Sequence, residues 1–196
     1  MARDEQTKFD PKKHHRKSIR LQGYDYSQSG AYFVTIVSYQ RDCLFGKIEN
    51  GEMTLSGFGK IADECWRAIP EHFPHVELGA HIIMPNHIHG IIVITDDESA
   101  FDVVDAQHVG ATQWVAPTTI PNARPNGPKR GSLGAIIGSY KMAVTRQIGR
   151  EHNATGIWQR NYYERIIRNE REMDNIWRYI ESNPTQWDDD DENPHP

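Results

Sequence analysis

The sequence predicts one α+β domain, a mostly antiparallel sheet with helices packed on it. Three observations carry that expectation. Short runs rich in β-branched and aromatic residues fall at 31–48, 76–95 and 157–167. Apolar residues recur at intervals of three and four in three further stretches. Those stretches lie between the strand-like runs or directly after the last of them, as in a sandwich of one sheet and its helices.

In chain order, AYFVTIVSY at 31–39 alternates and reads as a strand. A second, short strand is expected at 44–48, closing at the turn signal Asn50-Gly51. Ser56 is placed as the N-cap of a helix whose Phe58, Ile61, Ala62, Cys65, Trp66 and Ile69 share one face and which Pro70 should end. The runs 76–84 and 87–95 read as two strands, or one bent strand, parted by Pro85-Asn86. Residues 96–131 hold Pro117, Pro121, Pro125 and Pro128 and show no period, so an inserted loop is expected there. From Ser132 onward, Leu133, Ile136, Ile137, Tyr140, Val144 and Ile148 form an apolar helical stripe, with Lys141, Arg146 and Arg150 off it. IWQRNYYERII at 157–167 is expected to be a strand. The last helix, 170–182, should turn Met173, Ile176, Trp177 and Ile180 inward and stop at Asn183-Pro184. The expected order is β-β-α-β-β-α-β-α, without an internal repeat.

At 196 residues, the chain has the length of one domain with tails. We divide it into a basic arm at 1–20, a single domain at 21–187 with its insertion at 96–131, and an acidic tail at 188–196. Composition (37% hydrophobic, 25% charged) excludes wholesale disorder. No apolar run approaches the length of a bilayer span, and the N-terminal residues lack the apolar core of a secretory signal. Two cysteines, Cys43 and Cys65, cannot build a disulfide scaffold and are expected to face the core. A cytoplasmic protein is expected. The net charge of −5 hides an asymmetry: residues 1–21 carry seven basic and three acidic side chains, whereas 188–192 are five consecutive acids.

The sharpest chemical feature is MPNHIHGIIV, in which His87 and His89 stand two apart on an expected strand. Side chains at i and i+2 project from one face, so two imidazoles can grip one divalent ion. A hydrogen-bonded histidine pair satisfies the same pattern, and a third ligand must come from elsewhere. On the last helix Tyr179 and Asn183 are one turn apart, on the flank of the apolar arc, with Asn175 extending the row. A boundary tyrosine that only hydrogen-bonds through its hydroxyl fits that position equally. The run from Ile157 to Arg168 interleaves aromatic and basic residues, as an edge strand or a surface that stacks bases and holds phosphates. Lys129-Arg130-Gly131-Ser132 puts positive charge ahead of a helix N-terminus, a natural anion site. His81 cannot be assigned a face. No P-loop, GxSxG or zinc-binding cysteine cluster is present.

Four segments taken together resemble the REP-associated tyrosine transposases, a branch of the single-tyrosine HUH endonuclease superfamily. They are RKSIRLQGYDYSQSGAYFVTIVSYQRDCLFGKI, IIMPNHIHGIIVI, GSLGAIIGSYKMAVTRQI and IWQRNYYERIIRNEREMDNIWRYIESNP, in family order over most of 16–187. The resemblance implies a ferredoxin-like fold with His87 and His89 on a central strand, binding Mg²⁺ or Mn²⁺. It implies Tyr179 as the nucleophile, rather than Tyr162 or Tyr163, and Asn183 as the polar residue completing the metal site. The implied activity is cleavage and rejoining of single-stranded DNA at hairpin-forming palindromes through a 5′-phosphotyrosine, by a protein expected to be a monomer.

For DNA contacts the charge pattern points to Lys12, Lys13, Arg16, Lys17 and Arg20, then Lys129, Arg130, Lys141, Arg160, Arg165 and Arg168. The acidic tail lies nine residues beyond Tyr179 and could fold over a basic cleft as a mimic of DNA phosphates. Two other readings compete: a non-catalytic hairpin-binding regulator, and an unrelated metal-dependent hydrolase. The second needs carboxylate ligands, and no Asp or Glu stands at a suggestive spacing.

Overall fold

Alternation along the strands sorts side chains onto two faces, and the helices cover those faces unequally. The structure, a computed structural model, describes Leu21 and residues 23–96, 128–190 and 192–194. Its strands are β1 (Gly30–Val37), β2 (Gly46–Glu49), β3 (Glu52–Leu55), β4 (Val76–Ile83), β5 (His87–Ile94) and β6 (Tyr163–Ile167). Its helices are α1 (Gly57–Arg67), the single turn α2 (Ile69–His72), α3 (Leu133–His152) and α4 (Glu170–Ser182). A four-stranded antiparallel sheet runs in the order β4-β5-β1-β6, and β2 with β3 forms a separate hairpin. Omitting that hairpin, the βαββαβ path and strand order are those of a ferredoxin-like α+β sandwich, as expected.

One face of the sheet closes on α1 and α3 through Tyr32, Val34, Ile36, Ile88 and Ile92, all fully buried. The apolar stripe of α3 is buried as its period requires, and Ser132 caps the helix by accepting from Ala135 N. Gly90 allows a close approach in this layer, because a Cβ there would overlap the Trp66 ring. On the other face α4 packs over a smaller cluster, Ile91, Ile167, Ile176 and Ile180. A register shift between Leu78 and His81 in β4 turns His81 to the α1 side, where it bonds Asp63 at 2.8 Å under Trp66. His81 therefore faces away from His87.

Several local expectations need correction. Asn50-Gly51 does not end a lone strand; it turns β2 into β3, a strand too short and polar to be legible. Pro70 does not stop α1 outright but sits in the first turn of α2, where its missing N–H has no intrahelical partner to lose. Only Tyr163–Ile167 of the run 157–167 is a strand. Upstream, Trp158 makes one isolated bridge to Ser38, and the carbonyls of Gln159 and Asn161 accept from Lys141. The last α-helix, by contrast, ends at Ser182 before Asn183-Pro184 as expected; what the sequence does not show is the 3₁₀ segment that follows, Asn183–Asp189. Trp177 is 41% exposed rather than inward, its indole N–H donated to Glu181. Cys43 is exposed; only Cys65 is buried, and burial pushes its thiol up to about 12.

Candidate active site

The start of β5 places His87 and His89 on the α4 side of the sheet, both buried, with ring centroids 4.4 Å apart. Cross-strand pairing sets His87 opposite Val37 and His89 opposite Thr35. Each imidazole is oriented through its Nδ1. That of His87 lies 2.8 Å from Asn86 Oδ1, whose amide is fixed because Nδ2 donates to the carbonyls of Arg41 and Glu192. An amide oxygen only accepts, so His87 Nδ1 carries the proton and Nε2 keeps its lone pair. His89 Nδ1 lies 2.9 Å from Thr35 Oγ1. This is the outer support that metal-ligating histidines have. Burial pushes both imidazoles down to about 3, so both are neutral near pH 7; the Arg41 charge adds to this at His87, and the neighbouring His87 adds to it at His89.

Tyr179 arrives from the exposed flank of α4. Its hydroxyl is 3.3 Å from His89 Nε2, and its ring is edge-on to Phe33, which itself stacks on His89 at 5.2 Å. The side chain is 40% exposed, so the phenol oxygen stands between the histidine pair and solvent. One turn later Asn183 is buried; its Nδ2 donates to Asp190 Oδ2 at 3.1 Å. Two buried polar atoms at this point, His87 Nε2 and Asn183 Oδ1, have no hydrogen-bond partner.

Asp190 was missed. It belongs to the acidic tail, and no spacing rule links it to a strand a hundred residues earlier. The 3₁₀ segment carries it back so that its Oδ2 lies 4.0 Å from His87 Nε2. One ligand atom from each of His87, His89 and Asp190 falls within 4.8 Å of the others. The suggestive carboxylate that the sequence did not offer is therefore supplied by the fold. Glu192 of the tail also docks, pairing with Arg41 at 3.2 Å, and Trp187, just before the tail, lies over His87. Arg41 and Gln40 both hold positive φ, a strained turn set against this contact. The donor set fits a divalent cation: two neutral imidazoles with lone pairs, an orphaned amide oxygen and an anionic oxygen converge on one buried spot.

The basic residues are scattered. Lys12, Lys13, Arg16, Lys17 and Arg20 lie outside the described residues, as does most of the 96–131 insertion. Lys129 and Arg130 sit at the end of the sheet away from the histidines, and Lys129 is tied to Asp25 and Ser27. Lys141 is committed to the carbonyls of Gln159 and Asn161. With Arg146, Trp158 and Arg160 it lines an open groove of about 450 Å³ on the α3 side. Exposed Arg165 pairs with half-buried Glu172, and the backbone N–H of Arg168 donates to the same carboxylate. Of the expected contacts, Arg165 shares the face of the histidine pair.

No protein-family model matches the chain. An uncharacterized protein of Haemophilus influenzae is 38% identical over 187 residues, spanning 94% of this chain and 96% of its own length. A second protein of that organism, named as a REP-associated tyrosine transposase, is 22% identical over 172 residues, or 83% of this chain and 74% of its own. Among solved structures, a REP-associated tyrosine transposase bound to a REP hairpin superposes with a TM-score of 0.54 at 16% identity, over 86% of this chain and 73% of that one. That likeness is one of fold. The 38% identity makes this chain and the first relative members of one family.

Proposed function

We propose that this chain, which belongs to the REP-associated tyrosine transposases, cuts and rejoins single-stranded DNA at hairpin-forming palindromes, with Tyr179 as nucleophile. The observation that carries the reading is the Tyr179 hydroxyl 3.3 Å from His89, at the mouth of a buried two-histidine donor set. His87, His89 and Asn183 would hold Mg²⁺ or Mn²⁺, His87 and Asn183 through lone pairs that the fold leaves without partners and His89 through the nitrogen now facing the Tyr179 hydroxyl. When bound, the ion supplies positive charge that polarises the scissile phosphate.

The protein's own part is positioning. Thr35 and Asn86 fix the two imidazoles, and α4 holds the phenol oxygen beside them. Tyr179 Oη forms a bond to the scissile phosphorus as the bond from phosphorus to the 3′ oxygen breaks. The phenol proton passes to solvent, and the departing oxygen takes one up to become a 3′-OH. The product is a 5′-phosphotyrosine, which keeps the energy of the phosphodiester so that a 3′-OH can reverse the step. Tyr179 protrudes toward solvent beside a half-open sheet face, an arrangement suited to an unpaired strand.

Asp190 extends the reading. Its carboxylate offers the kind of oxygen a substrate phosphate would, beside the same histidines, and Glu192 occupies Arg41 as a phosphate could. The tail thus masks the site until DNA displaces it. We place the remaining hairpin affinity on the basic arm, with Arg165 at the site, in a monomeric cytoplasmic protein.

The test incubates the protein with Mg²⁺ or Mn²⁺ and end-labelled single-stranded hairpin DNA from its own genome, beside Tyr179→Phe. A covalent protein–DNA band lost in the variant supports the reading. Hairpin binding with no covalent band, under both ions, assigns the chain instead to the non-catalytic regulators.

A further inference from the structure

Resting on the nuclease reading, we infer that Tyr163 is the stacking platform for an unpaired base next to the scissile phosphate, and that Arg165 holds the neighbouring backbone phosphate. Among the described residues β6 is one of the two edge strands of the sheet, β4 being the other. Tyr163 pairs with Thr35, and Thr35 with His89, so the three side chains form one row on one face. Two strand spacings put the backbone of Tyr163 about 10 Å from that of His89. Its predecessor Tyr162 points the other way and is buried in the main core. Tyr163 itself is 47% exposed, and among the described residues its ring and hydroxyl make no hydrogen bond or ring contact.

A large aromatic ring standing free on an edge strand contributes little to folding, but it suits a base, because every base has a π-face. Arg165 is two residues along the same face, opposite Phe33, and its guanidinium, 62% exposed, pairs with the half-buried carboxylate of Glu172 at 3.2 Å. A guanidinium this exposed gains little from the pair and is open to a phosphate from the solvent side. Phe33, half-buried between Arg165 and the Tyr179 ring, completes an aromatic floor leading from β6 to the nucleophile. A nucleotide stacked on Tyr163 would hold its neighbour's phosphate over the histidine row.

The experiment measures affinity by fluorescence anisotropy, on a Tyr179→Phe background so that cleavage plays no part. The probes are a DNA hairpin with single-stranded flanks and a series in which each flank nucleotide in turn is abasic. Tyr163→Ala is expected to weaken binding about tenfold, Tyr163→Leu by a similar factor with the edge strand still filled, and Tyr163→Phe hardly at all. At one abasic position the parent should lose the same factor while Tyr163→Ala loses nothing further. Unchanged affinity in Tyr163→Ala, or losses that simply multiply at every position, would overturn the inference. Failure of the nuclease reading is seen separately, as no covalent adduct from the protein with Tyr179 intact.

Discussion

On the side of the sheet that α1 and α3 cover, Tyr32, Val34, Ile36, Ile88 and Ile92 are sealed from water. The residues between them on the same strands, Phe33, Thr35, His87 and His89, face α4, which packs chiefly against β4 and leaves Tyr163 and Arg165 of β6 exposed. β1 and β5 thus serve two purposes by alternation: even-numbered positions make the main core, while odd-numbered ones make the site and the smaller apolar cluster under α4. Chemistry can therefore be altered at one position with little effect on a fold secured by its immediate neighbour.

The strongest way to break this separation is at Tyr179. Tyr179→Phe should lower DNA cleavage by about 10⁴-fold or more, the scale of losing a nucleophile, and abolish the covalent band. Because the hydroxyl sits at the site's mouth and not in the core, the melting temperature should be unchanged by calorimetry. Next come the adjacent residues Ile88 and His89. Ile88→Ala should cost about 2–5 kcal/mol in denaturant unfolding and leave the protein responsive to Mn²⁺. His89→Ala should do the reverse, removing the stabilisation that Mn²⁺ gives the parent, about 2.7 kcal/mol at a hundredfold excess over Kd. Loss of the Mn²⁺ response in Ile88→Ala as well would mean that the two faces are not independent.

A smaller effect is expected at the tail. Removing residues 188–196 frees the histidine pair from Asp190 and Arg41 from Glu192. Single-strand affinity and cleavage at saturating Mn²⁺ should rise roughly tenfold, the equivalent of one charge-assisted hydrogen bond. Unchanged values in both assays would show that the docked tail does not compete with DNA.

What the sequence made legible was periodic or local. The α3 stripe, the alternation of β1, the shared face of His87 and His89, and the row of Tyr179 and Asn183 all follow from the pitch of one element. Trp177 shows the limit of that reasoning. Its angle places it in the apolar arc of α4, but it lies over Gly79 of the edge strand β4, so the indole sits at the rim. Asp190 and the Lys141 contacts depend on tertiary closure between distant segments, and no pattern within a segment encodes them. The strand expected at 157–162 failed for the same reason: Lys141 draws the carbonyls of Gln159 and Asn161 toward α3, away from a ladder.

Lys141 gives the finest test of how the two sides are joined. Its ammonium anchors the segment leading into β6 from the core side, and burial pulls its pKa down from the ordinary lysine range to about 8. Below that value the group is protonated in both folded and unfolded chains, so the cost of burying the charge is present in full. Between about 8 and the unfolded value the unfolded chain binds more protons, and stability must rise with pH. The parent should therefore gain thermal stability relative to Lys141→Met from pH 8 to 10, and show no relative change from pH 6 to 7.5. Lys141→Met should also loosen residues 157–161, read as faster amide hydrogen exchange there, while amides in β5 stay protected. Faster exchange in β5 as well would mean that the anchor on the core side also holds the histidines in place.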